Sequence, residues 1–385
     1  MSAATAVTVF TGAAVFDGDR LHEDAALVVE DGRITAIVPA AEAPDGARVE
    51  LDGGTLAPGF IDIQVNGGAG ILLNDKPDVE GIAAICAAHG RLGTTGLLPT
   101  LITDTPQATR ATIEAGVTAA GSVPGFLGLH LEGPHLDLRR KGAHDPRLIR
   151  PMTPDDLDML CDAAARLPAL VVTLAPASAT AEQVAALVEA RAIVSLGHSE
   201  ATLAEARALF GAGARMVTHL FNAMSQLGNR EPGLVGATLD DAGVSAGLIA
   251  DGIHVAPESM RAALAAKRGT DSVFLVTDAM APAGTDITEF TLNGRRILRR
   301  DGRLTLEDGT LAGADVDFPG VIRVMVRDVG LTLPETLRMA TYAPAAALRA
   351  TDRMGRLAPG LAADLVHLDA DLALGGVWRG GAPLD

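Results

Sequence analysis

Glutamate, histidine and aspartate recur in this sequence just behind short apolar runs, a pattern suited to holding a metal ion and moving a proton. Glu132 lies at the end of GFLGLHLEG (125–133), His198 at the end of IVSLGHS (193–199), His219 in MVTHLFN (216–222) and Asp278 in SVFLVTDA (272–279). One carboxylate and two imidazoles form a three-ligand set that leaves a fourth position for water on zinc or a similar ion. Asp278 would stand opposite as an acid/base group. His254 follows VSAGLIADG (244–252), while Gln64 and Asn66 belong to FIDIQVNG (60–67). Singly, each has a plainer reading. A histidine at a strand end is more often a satisfied polar residue, a glutamate before Gly-Pro a solvated one, and Asp278 a cap on the next helix. Their joint placement favours a metal hydrolase.

The elements that must position these residues are legible as a rhythm. The runs named above, with TGLLPT (95–100) and LVVTLAP (170–176), make eight buried-type strands. Most are separated by alanine-rich stretches of helical spacing, such as AEQVAALVEA and ATLAEARALFGAG. That alternation predicts an α/β fold, a parallel (β/α)8 TIM-like barrel whose catalytic groups gather at the C-terminal ends of the strands. The insert ITEFTLNGRRILRRDGRLTLEDG after the eighth strand reads as an added hairpin. Residues 1–56 and 355–385 alternate in strand fashion, with Asp31-Gly32 as a hairpin turn. They predict one small β-sandwich domain built from both termini around a catalytic barrel at 57–354.

Composition narrows the partners. The chain has 385 residues, and 48 acidic against 31 basic ones give a net charge of −17. Such a surface repels nucleic acid and anionic membrane, so neither is expected, and an anionic small molecule needs a local basic pocket. The N-terminal MSAATAVTVF lacks the charge pattern of a leader, and no apolar run is long enough to span a bilayer, which predicts a cytoplasmic protein. Cys86 and Cys161 sit in no metal-binding cluster and are expected as buried free thiols.

The order HLEGP (130–134), KGAH (141–144), GHS (197–199), THLFNAM (218–224), REPG (230–233), DGIHV (251–255) and TDAM (277–280) resembles the N-acetylglucosamine-6-phosphate deacetylases of the amidohydrolase superfamily. PGFIDIQVNG (58–67) and GRLAPGLAADLVHLD (355–369) agree, so the resemblance spans nearly the whole chain. It implies a phosphorylated amino sugar as substrate and one divalent ion, zinc before iron, cobalt or manganese. Glu132, His198 and His219 would hold the ion. Asp278 would be general base and then general acid, and His144 would orient or polarise the acetyl carbonyl, with Ala143 beside it. Asn222, the Ala223 N–H and Arg230 would contact the phosphate, and His254 the sugar. In this family the phosphate-binding arginine reaches across a dimer interface, which implies a homodimer. Gln64 and Asn66 stand where two-metal relatives carry histidines, hence the expectation of one tightly bound metal. The galactosamine epimer stays open as an alternative substrate, as does a non-catalytic sugar-phosphate-binding protein on the same scaffold. His130 is expected to support the barrel lining and His135 to lie on the loop surface. Arg139, Arg140 and Lys141 either raise the local positive potential or form a solvated turn.

Overall fold

The computed structural model describes residues 7–384; the MSAATA stretch, read above as lacking a leader's charge pattern, lies outside the described residues. The apolar runs form strands β1 (Phe60–Val65), β2 (Thr94–Ile102), β3 (Leu129–Glu132) and β4 (Leu170–Leu174). They continue as β5 (Ile193–Leu196), β6 (Met216–Val217), β7 (Ser245–Ile249) and β8 (Val273–Val276). All eight pair in chain order in one parallel sheet. Their residues are buried almost throughout, because helices cover the outside while side chains fill the inside. The ring closes where Val65 bridges Ala279 and the Asp278 N–H donates to the Gln64 carbonyl at 3.0 Å.

Helices Pro154–Arg166, Ala181–Glu189 and Leu203–Gly211 each start at a capping box, Thr153/Asp156, Thr180/Gln183 and Thr202/Glu205. Each box satisfies N–H groups that the first turn leaves unpaired. No helix among the described residues is long and apolar enough to cross a membrane. Cys86 and Cys161 are free; Cys86 is buried as expected, but Cys161 is only half-buried on the flank of its helix.

Both chain ends build the second unit. A four-stranded sheet holds residues 7–11, 25–30, 33–39 and 47–50, and a six-stranded sheet combines 14–16, 21–22 and 55–58 with 365–368, 374–379 and 382–383. Phe10, Leu27 and Ile34 from the first sheet share a core with Val15, Leu56, Leu365 and Trp378 from the second. That is the expected sandwich. Asp31 (φ 48°) and Gly32 (φ 77°) make its predicted turn.

The insert is larger than a hairpin. It forms a four-stranded antiparallel sheet, Glu289–Leu292, Arg295–Arg300, Arg303–Leu306 and Leu311–Ala314. A lone hairpin cannot bury an apolar face, whereas this sheet packs Leu292, Ile297, Leu304 and Ala312 onto Leu72, Ile102 and Met280 at the barrel mouth.

Candidate active site

Glu132 is the last residue of β3, and His198, His219 and Asp278 each come two residues after β5, β6 and β8. The three post-strand residues have left-handed backbones, with φ of 45° at His198, 33° at His219 and 52° at Asp278. This conformation is costly for residues with a Cβ, roughly 1–3 kcal/mol each, and such outliers gather where function needs a side chain re-aimed. Here the twist turns all three side chains inward over the barrel axis. They meet Glu132 in a cavity of about 540 Å³.

Glu132 Oε1 lies 3.2 Å from His198 Nε2 and 3.0 Å from His219 Nε2, and the two nitrogens are 3.1 Å apart. His198 Nδ1 is 2.8 Å from the Arg140 carbonyl, which can only accept, so Nδ1 carries the proton and the Nε2 lone pair faces inward. Gly142 makes this approach possible, because a Cβ there would stand 3.2 Å from the His198 ring. Nearly complete burial pushes Glu132 up, yet His198 and His219 outweigh it and hold the carboxyl well below its usual range. Burial pushes His219 down, but the adjacent carboxylate wins and holds the imidazole up. These are buried donors crowded against one another at the mutual spacing of a tetrahedral N2O set, so the residues fit a divalent ion.

Asp278 faces this trio. Its Oδ1 accepts from Asn66 Nδ2 at 2.6 Å and from Gln64 Nε2 at 3.2 Å, and the same Gln64 amide donates to Glu132 Oε1 at 3.2 Å. Gln64, on β1, therefore lies between two carboxylates as a donor, while Asn66, just past the strand, donates to Asp278 alone. Burial, then the charge of Glu132, pushes Asp278 up to about 6.

His144 enters from the loop after β3. Thr103 donates to its Nδ1 through the backbone N–H at 3.3 Å, with the hydroxyl 2.8 Å away. Nδ1 is thus an acceptor, and Nε2, 3.9 Å from Glu132 Oε2, carries the hydrogen. Burial and the neighbouring His198 keep the ring neutral, well below the ordinary histidine range. A neutral N–H donor suits a carbonyl oxygen that gains charge. Arg295, on the inserted sheet, holds the Ala143 carbonyl beside it. His254 is fixed by Asp251, whose Oδ2 lies 2.7 Å from His254 Nδ1 and whose Oδ1 accepts the Ile253 and His254 N–H groups.

Ala143, Asn222, Ala223 and His254 line the same cavity, which Ile102, Ile249, Met280, Leu292 and Leu311 wall with apolar surface. Arg230 does not line it. It is exposed, and among the described residues it pairs with no carboxylate; Glu231 spends Oε1 on the Leu203 and Gly233 N–H groups instead. Arg139 and Arg140 line the cavity, but their charges meet Asp137 and Glu200. His130 lies in the barrel lining, its Nδ1 3.0 Å from the Ile63 carbonyl and its Nε2 2.7 Å from the Thr173 hydroxyl. His135, expected on the loop surface, is buried, because the chain folds back after Pro134 and its carbonyl accepts the Ala175 N–H. The sequence reading missed Thr103, Asp251, Arg295 and the Arg140 carbonyl; only Asp251, three residues before His254, left a local signal.

The chain matches the Amidohydrolase family over residues 55–382. It is 40% identical over 376 residues to the N-acetylgalactosamine-6-phosphate deacetylase of Shewanella sp. (strain ANA-3), covering 96% of this chain and 94% of the relative. It is 35% identical over 347 residues to the N-acetylglucosamine-6-phosphate deacetylase of Haemophilus influenzae, covering 89% and 90%. The crystal structure of N-acetylglucosamine-6-phosphate deacetylase from Pasteurella multocida superposes with a TM-score of 0.94 at 34% identity, over 98% of this chain and 99% of that one. The closed barrel, the ligand trio at its mouth and these likenesses lead to one conclusion: the chain belongs to the amidohydrolase family, among its amino-sugar-phosphate deacetylases.

Proposed function

We propose that this chain is a cytoplasmic, zinc-dependent enzyme that hydrolyses N-acetylglucosamine 6-phosphate to glucosamine 6-phosphate and acetate during amino-sugar breakdown. The observation that carries the reading is the convergence of Glu132, His198 and His219 with Asp278 and His144 in one cavity. Two imidazoles and one carboxylate suit a catalytic zinc, and Glu132, His198 and His219 would hold it. When bound, the ion supplies a water of lowered pKa and polarises the carbonyl. Gln64 and Asn66 turn their amide N–H groups to carboxylates, and their neutral amide oxygens are poorer zinc ligands than imidazoles, which favours one ion per chain.

The protein's own groups carry the proton. Asp278 takes it from the attacking water and then delivers it to the departing sugar nitrogen, so the amine leaves neutral. His144 donates through Nε2 to the acetyl oxygen as that oxygen becomes negative. His254, held by Asp251, binds the sugar hydroxyls, and Asn222 with the Ala223 N–H meets the phosphate.

Arg230 completes phosphate binding from a second copy of this chain. Its exposure outside its own chain's cavity, close to the exposed Leu227, supports a homodimer in which this loop reaches across. A second reading, the galacto epimer as preferred substrate, is favoured by the Shewanella relative. Acetate release should be followed on both N-acetylhexosamine 6-phosphates in parallel, with metal content measured on the same sample. Higher kcat/KM on the gluco epimer with one ion per chain is the expected result. A reversed preference selects the galacto reading, and no release from either sugar removes the deacetylase assignment.

A further inference from the structure

Asp62 is fully buried inside the barrel, and the reaction described above does not use it. No arginine, lysine or histidine among the described residues lies within ion-pair distance of it. A carboxylate in such a place costs several kcal/mol unless its oxygens are satisfied by donors. Both oxygens meet donors from a particular set of groups, although burial still outweighs them and pushes the carboxyl up to about 7. Oδ2 accepts the Thr277 hydroxyl at 2.5 Å and the Thr277 N–H at 3.2 Å, and Oδ1 accepts the Gln64 N–H at 3.2 Å.

These contacts lie on the seam where the barrel closes. β1 and β8 are the ends of the eight-stranded order, and no ladder joins them along their length; the pairing is an isolated bridge from Val65 to Ala279. Below that bridge, the Asp62 side chain occupies the place a backbone carbonyl would have in a regular ladder. One step above it, the Asp278 N–H donates to the Gln64 carbonyl at 3.0 Å. Thr277 Oγ1 also accepts the Ala279 N–H at 3.2 Å, which bends the chain around Asp278. Asp62 therefore grips the residue before Asp278 and, on β1, the backbone of Gln64. Gln64 in turn sends one amide to both Asp278 and Glu132.

We infer that Asp62 is a positioning residue: through Thr277 and Gln64 it fixes where the Asp278 carboxylate stands relative to the metal ligands. A barrel seam needs only backbone hydrogen bonds to close, and a buried charge adds no strength to closure that an apolar pair would lack. What a carboxylate adds is a rigid two-oxygen acceptor that grips both sides of the seam at once. Misplacing a reacting group by about 1 Å costs on the order of 100-fold in rate.

The inference rests on the deacetylase reading for its kinetic arm, so a structural arm stands beside it. Thr277→Val removes one hydroxyl and keeps the shape of the side chain; Thr277→Ser restores the hydroxyl; Asp62→Asn swaps one acceptor oxygen for a donor. In the full-length zinc-loaded protein, Thr277→Val should lower kcat roughly 10- to 100-fold. KM and metal content should stay near wild type, and Thr277→Ser should recover most of the rate. Crystals of Thr277→Val should show the Asp278 carboxylate moved off its 2.6 Å contact with Asn66. Asp62→Asn should follow Thr277→Val, and if it does not fold, the threonine pair decides. A Thr277→Val protein with wild-type kcat, or with that Asn66 contact unchanged, overturns the inference even if the sugar proves to be the wrong substrate. A wild type that is inactive on both sugars counts against the deacetylase reading alone, because the crystallographic comparison still answers for Asp62.

Discussion

In the proposed reaction Asp278 is the residue on which the chemistry turns, because one carboxylate would accept a proton and then return it. Asp278→Asn keeps the size and the hydrogen bond from Asn66 but cannot take a proton. It should cost roughly 10²- to 10⁴-fold in kcat while metal content stays unchanged. A loss under tenfold with full metal would remove Asp278 from the mechanism. The pH profile carries its own sign. Burial and the charge of Glu132 push this carboxyl up to about 6, and the base works only when ionised. Activity is therefore lost as pH falls through the apparent pKa. A cation on Glu132 cancels part of the push, so the acidic limb of kcat/KM should lie at or below about 6; a limb centred above 7 would point to another base. The candidate ligands and Asp278 were legible because strand ends in a barrel share one mouth. Thr103 was not, since it meets His144 from 41 positions away and reads locally as loop threonine. Nor was the Arg140 carbonyl, because a backbone acceptor has no signature in the residue that bears it.

At the scale of elements, what was legible is what depends on local pattern. Eight apolar runs gave eight strands, since burial on both faces demands continuous apolar sequence, and Asp31-Gly32 gave its turn. The inserted sheet was underestimated because its last strand, Leu311–Ala314, is small and glycine-containing and owes its place to pairing with the preceding strand and to the Asp278 carbonyl. Helix Pro154–Arg166 shows how one residue sets an element. Asp156 closes its capping box and pairs with both terminal guanidinium nitrogens of Arg150, which orders the chain entering the helix. Burial pushes Asp156 up, but Arg150 and Thr153 outweigh it and hold the carboxyl well below its ordinary value. A depressed pKa gives stability that is present above the unfolded value of about 3.9 and lost as pH falls through the folded one. Asp156→Asn should therefore destabilise the protein by roughly 1–3 kcal/mol at neutral pH. The gap in urea midpoint should narrow between pH 7 and pH 3. Equal gaps at both would show that the charge of Asp156 plays no part.

At the scale of the whole molecule the proposed substrate sets a harder problem, since a chain of net charge −17 would have to admit a doubly ionised phosphate. Within one subunit, Arg139 and Arg140 at the cavity are already matched by Asp137 and Glu200. Arg230 pairs with no carboxylate among the described residues, and it is exposed beyond its own cavity. A guanidinium grips phosphate through two parallel hydrogen bonds, so the proposed dimer would give it a use in a neighbour's site. In a two-fold dimer the exchange is mutual, each loop completing the other pocket. Arg230→Ala alone should then raise KM for the phosphorylated sugar and barely change the slow reaction on unphosphorylated N-acetylglucosamine. The decisive experiment combines two crippled chains. Arg230→Ala and Asp278→Asn, dissociated and reassociated in equal amounts, give mixed dimers in about half of cases, each with one complete site. Activity on the phosphorylated sugar should climb to about a quarter of wild type, well above the average of the separate variants. If Arg230 served its own subunit, every mixed dimer would carry one pocket without the arginine and one without the base. Mixing would then recover nothing, and the loop would have to be read as part of a self-contained site.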